Sequence, residues 1–247
     1  MGGARAGRRP DGHGARPRRP AHGARGRRPG RRRARARRHP WHPHHIAERY
    51  GLVVIIAVGE GLTGTTFALA AILEESGWTV ETALLGLAGV ALTFGLWWAY
   101  DVMPSGALLA ARRRRSFAWG YGHIVLFGSI VATGGGLHAA AFSLEGASAL
   151  GRVGTLLTVA VPVTVYVATF TALFGALSRE RGRVHVGLAA ASAAVVVGAV
   201  ALVVAGAPLV WGLLVLALVP WVTVVGHGLA GRRAEGRAAA VEEVGEV

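Results

Sequence analysis

Four ionisable side chains stand where an otherwise apolar chain has no structural need of them. The first is Glu60, inside HIAERYGLVVIIAVGEGLTG, residues His45–Gly64. Ten residues past Tyr50, at ~1.5 Å per helical residue, it lies about 15 Å deep, near the midplane of a ~30 Å hydrocarbon layer. An ionised group at a helix centre costs roughly 2.5–3.5 kcal/mol on insertion scales, whereas the eleven Leu, Ile, Val and Phe from Tyr50 to Leu73 together contribute about −5 kcal/mol. The helix therefore inserts with its carboxylate. Ile56, Ala57, Thr63, Gly64 and Phe67 share its face at helical spacing. Ala57, Gly61, Gly64 and Ala68 form a small-residue stripe that permits close helix approach. Glu60 is accordingly expected to point into a bundle. It is then either a proton or cation site, as intramembrane acids commonly are, or a hydrogen-bonded structural Glu.

His123 and His138 are the next pair. Fifteen residues separate them, which leaves a ~60° offset around one helix and ~22 Å along it, so both can face one interior seam. A histidine titrates near neutral pH. Together with Glu60 the two could form a polar relay; equally, each could simply bond to a neighbouring helix. Asp101 closes the set at the end of an apolar run, where it can stay hydrated in an interfacial role. His185 and His227 are expected at helix ends, also interfacial.

These groups need long apolar elements to hold them. The chain has 247 residues, of which 52% are hydrophobic and only 16% charged, with mean hydropathy +0.43. From residue 50 onward, apolar runs long enough for a bilayer alternate with short polar stretches. The ~10-residue alternating strands of a membrane barrel are absent. The fold expected is all-α: a polytopic transmembrane helical bundle of six spans, at about 50–73, 80–102, 117–142, 153–177, 184–204 and 209–230. The last two are joined by Ala205-Gly206-Ala207-Pro208, a tight turn. The domain layout is a tail at 1–45, a membrane domain at 46–231 and a short charged cytoplasmic tail at 232–247.

The net charge of +14 belongs to the N-terminal tail. Residues 1–45 hold fifteen Arg and one Asp; residues 46–247 hold twelve Arg and twelve acids. The tail is built mainly from Arg, Gly, Pro, Ala and His and has no aliphatic residue larger than Ala after Met1, so disorder is expected. A mis-assigned start is one account of it, and contact with anionic lipid is another, worth roughly 1 kcal/mol per Arg near a surface. Nucleic acid is not the partner expected; the lipid bilayer is. Elsewhere, Arg49, Arg112–Arg115, Arg179, Arg181, Arg183, Arg232, Arg233 and Arg237 fall on one side of a six-span alternation, and Arg152 alone on the other. The positive-inside rule then puts the N and C termini in the cytoplasm. Trp97, Trp98, Tyr100, Trp119 and Tyr121 flank the Arg112–Arg115 loop as an expected interfacial belt, with Trp78 marking the opposite face.

Several chemistries find no support. The chain has no cysteine, so thiol nucleophiles and Cys-ligated metals are excluded. GEGLTG at Gly59–Gly64 spells G-x-G-x-x-G, but it lies within one apolar helix rather than between a strand and a helix. HPWHPHH, with His39, His42, His44 and His45, offers loose metal contacts only. No nucleophile elbow or Walker lysine occurs. The expectation is no enzyme, no cofactor and no metal.

Three segments carry a family resemblance. HHIAERYGLVVIIAVGEGL at His44–Leu62 resembles the H-x-x-E-R-x-G-L-x-x-I-I-x-x-G-E signature of the bacterial low temperature requirement protein A family. WWAYD at Trp97–Asp101 and YGHIVLFGSIVATGGG at Tyr121–Gly136 are similar to two further segments of it. The residues matching these segments are His45, Glu48, Arg49, Gly51, Gly59, Glu60, Trp97, Trp98, Tyr100 and Tyr121. The resemblance covers roughly residues 44–230 and leaves residues 1–43 apart. It implies a multi-pass protein of the bacterial inner membrane. Members are longer and begin with an acidic, Phe-rich span, so this chain resembles their C-terminal portion. Two functions remain open: a transporter or channel using Glu60, His123, Asp101 and His138, or a non-transporting structural or cold-adaptation protein.

Overall fold

A computed structural model describes residues 42–144, 148–177 and 183–245. The expected tail lies almost wholly outside them. The elements are α1 (Pro43–Ser76), α2 (Val80–Asp101), α3 (Ser105–Ala111), a 3-10 turn at Arg113–Arg115, α4 (Ser116–Leu144), α5 (Arg152–Leu177), α6 (Arg183–Val204) and α7 (Leu209–Gly245). Six helical stretches are long and apolar enough to cross a membrane. They match the expected spans in number and order.

Two ends differ from expectation. α1 starts at Pro43, so Glu48 and Arg49 lie one turn inside a helix rather than at its edge. The physical reason is Pro43 itself: its ring sets a helical φ and the N–H it lacks would have no partner at a first turn. α1 thus takes in Pro43, His44 and His45, the last residues of the stretch expected as a tail. At the other end, α7 runs on to Gly245 through the Arg232–Arg237 region expected to be a tail.

The caps follow from sequence. α1 stops at Gly77, which adopts φ 66° and sends its N–H to the Leu73 carbonyl. Thr79 caps α2, its hydroxyl accepting from the Thr82 N–H at 3.1 Å. Between α6 and α7, Gly206 takes φ 101°. Its N–H bonds Val203 O while the Ala207 N–H bonds Leu202 O. This paired pattern ends a helix in a left-handed residue, the role glycine fills without a Cβ clash.

The long helices pack in the cyclic order α1–α4–α5–α6–α7–α2. Small residues set the tightest crossing. A Cβ on Gly64 of α1 would lie 2.5 Å from the Gly134 carbonyl oxygen of α4, and one on Gly134 would lie 2.8 Å from the Glu60 carbonyl. Only bare backbone fits there, so α1 and α4 meet main chain to main chain. Aromatic donors then tie helices by their carbonyls: Tyr166 Oη donates to Leu96 O at 2.7 Å, and Trp221 Nε1 to Ala91 O at 3.2 Å. An already helix-bonded carbonyl has a second lone pair for this.

One end of the bundle is organised by α3. Pro104 breaks the path out of α2, and α3 folds back on the start of α1, where His44 packs on Gly106. From the loop beyond, Arg112 Nη1 donates to the Ala176 carbonyl at 3.1 Å, and Arg115 Nη1 to the same oxygen. That carbonyl lies in the last turn of α5, where unpaired C=O groups and the negative end of the helix dipole favour a cation.

Candidate functional site

His123 is the most enclosed ionisable side chain among the described residues, at 0% exposure. α4 places it one turn past Trp119, and its Nδ1 lies 2.7 Å from the Trp119 carbonyl. A carbonyl only accepts, so Nδ1 carries the hydrogen. In the neutral ring Nε2 is then bare, and it accepts from the Tyr100 hydroxyl at 3.1 Å. Four rings enclose the imidazole. Their centroids lie 4.1 Å (Trp119), 4.7 Å (Tyr50), 5.4 Å (Phe127) and 5.6 Å (Tyr100) from its own. The cage draws on α1, α2 and α4, and Gly120 leaves room for the Tyr50 hydroxyl beside it.

Tyr100 connects this cage to the outside. It is 5% exposed and also lines a cleft of about 660 Å³ between the first turns of α1, the end of α2 and α3. Glu48, Asp101 and His44 line the same cleft, together with Trp97, Met103 and Leu52. Both carboxylates are solvent-exposed. Glu48 accepts from His45 Nδ1 at 3.3 Å. The hydrogen-bonded line is Tyr100 hydroxyl, His123 imidazole, Trp119 carbonyl, and Tyr100 is also among the residues that line the acidic cleft.

The sequence-derived residues do not all gather in one place. Tyr100, His123, Asp101, Glu48, Gly51 and Trp97 gather at the cage and cleft. Glu60 does not. Its side chain is exposed on the outer face of α1, contrary to the expectation that it points into the bundle. The small-residue stripe does face inward, but it centres on Gly61 and Gly64, and Glu60 lies just beside it. Its carboxylate makes no hydrogen bond or ion pair among the described residues. His138 is half-buried and stacked between Phe67 (5.2 Å) and Phe142 (5.1 Å). It and His123 both contact α1, as the 60° offset implied, yet no hydrogen bond joins them. Arg49, Gly59, Trp98 and Tyr121 stay outside the site; Tyr121 is 70% exposed.

Two members were placed elsewhere by sequence. Trp119 and Tyr100 were expected in an interfacial belt, but Trp119 is 2% exposed and Tyr100 forms the core side of the cleft. Tyr50 and Phe127 are cage members that were not among the candidate residues expected from sequence. The available signal was spacing: Trp119, His123 and Phe127 recur every four residues on one face of α4. The triplet of His42, His44 and His45 survives as a loose cluster of rings 5.8 Å apart. Among the described residues no group of His, Asp or Glu is arranged to ligate a metal.

The model of a family described as "Bacterial low temperature requirement A protein (LtrA)" covers residues 27–220, starting upstream of the residue-44 boundary read from sequence. No curated protein and no solved structure matches the chain.

Proposed function

Since the chain belongs to the bacterial low temperature requirement A family and has six membrane-length helices, we propose that this multi-pass membrane protein is a transporter or channel of the cell membrane, with solute access at the α1–α2–α3 cleft and proton exchange through Tyr100 and His123. The observation that carries this reading is the double position of Tyr100. It lines the cleft and bonds a fully buried imidazole. A titratable ring bonded to the hydroxyl of a cleft-lining residue suits proton coupling. Glu60, on the outer face of α1, then sits off the conduction line.

The test is proton-driven flux in proteoliposomes. Tyr100→Phe should abolish the pH dependence of flux, and Glu60→Gln should leave it intact. Equal, pH-independent flux in native protein and Tyr100→Phe would remove the relay.

One observation favours a second reading, a structural or cold-adaptation protein without transport. Both ring nitrogens of His123 are satisfied inside the bundle, as a packing role requires. In that case His123→Gln lowers stability or growth in the cold with no flux to change.

A further inference from the structure

We infer that the α1–α2–α3 cleft binds an organic cation, an amine or quaternary ammonium carrying an apolar body. Three properties of the cleft point to that class. Its described lining is acidic: Glu48 and Asp101 line it and, among the described residues, no arginine does, in a chain whose formal charge is +14. Its walls are apolar and aromatic, with Trp97, Tyr100, Leu52 and Met103 beside the acids. An ammonium over Trp or Tyr faces gains a quadrupole attraction that an inorganic ion keeps only by shedding tightly held water. Its size is that of a small-molecule pocket, about 660 Å³ against a usual range of roughly 300–1,000 Å³.

The geometry also argues against a bare metal ion. Among the described residues His44, Glu48 and Asp101 do not converge into a ligand set. Spread carboxylates along an apolar wall suit a ligand whose charge is diffuse and whose body fills space. A phospholipid ammonium headgroup and a free amine share this chemistry. The inference takes from the transport reading only that the cleft admits solute. Equilibrium binding is measured without flux, so either can fail alone.

The experiment is titration calorimetry on the full chain in phosphatidylglycerol nanodiscs with choline as probe. The neutral isostere 3,3-dimethyl-1-butanol and Mg²⁺ serve as comparisons. Choline should bind at least about ten-fold more tightly than the isostere, a difference of ~1.4 kcal/mol, and Mg²⁺ should not displace it. Asp101→Asn and Glu48→Gln should each weaken choline by about ten-fold, and Trp97→Leu several-fold, with melting temperatures unchanged because both acids are exposed. Equal binding of the isostere, displacement by Mg²⁺, or unchanged affinity in both acid variants would overturn the inference. Repeating the titration in phosphatidylcholine nanodiscs separates the sources. Competition there identifies the lipid headgroup as occupant, and unchanged affinity identifies a free amine.

Discussion

His123 and Tyr100 owe their importance to what each can and cannot exchange with water. Neither nitrogen of the ring reaches solvent, so the hydrogen bond from Tyr100 has no aqueous substitute. Interhelical bonds of this kind contribute about 0.6 kcal/mol on average and up to about 1.7 kcal/mol. A double-mutant cycle of Tyr100→Phe and His123→Leu, read by reversible unfolding in mixed micelles, should give a coupling energy in that range. Tyr121→Phe, on an exposed ring two residues from His123, should give none. Glu60 obeys the opposite logic. Its exposed carboxylate burdens α1 with roughly 2.5–3.5 kcal/mol on insertion scales. Glu60→Leu should raise membrane insertion of the isolated α1 segment by that amount in a glycosylation-mapping assay. No gain would mean that the carboxylate escapes the hydrocarbon.

α1 and α4 are the elements that shape the site, because Tyr50 from one and Trp119, His123 and Phe127 from the other form most of the cage. Their spacing is set by Gly64 and Gly134, where backbone meets backbone. A side chain at Gly134 would confront the Glu60 carbonyl and the Gly61 nitrogen, and backbone atoms cannot rotate aside. Gly134→Leu should destabilise the protein by about 1–3 kcal/mol or more and should loosen the cage. The second effect would appear as faster fluorescence quenching of Trp119 in a variant retaining that Trp alone. Gly128 and Gly135 on the same helix have open space beside them, so Ala at either should be tolerated. That contrast separates helix propensity from steric contact.

The start of α1, α3 and the Arg112–Arg115 loop gather at one end, tied to the last turn of α5 by Arg112 and Arg115. Arg152 lies toward the α6–α7 turn, donating to Gly206 O at 3.3 Å. The arginine asymmetry predicts that the first end is cytoplasmic. The chain has no native cysteine, so single-cysteine labelling is free of background. Arg114→Cys should react with an impermeant maleimide only in inside-out vesicles, and Trp78→Cys only in intact cells. The reverse pattern would invert the orientation.

Composition and run length alone determined the six-helix membrane architecture, because a ~30 Å apolar layer admits few other solutions for such runs. Spacing also marked His123 and His138 as able to face one side of α4. Tertiary structure decided what those residues do. Whether a side chain on a uniformly apolar helix faces lipid or protein depends on which neighbours pack there, and apolarity on every face leaves no periodic signal to read. That is why Glu60 emerged outward, and why Trp119 and Tyr100 moved from an interfacial belt into the core. It is also why Glu48 and Asp101, some fifty residues apart in sequence, share one cleft only once Pro104 turns α3 back onto α1.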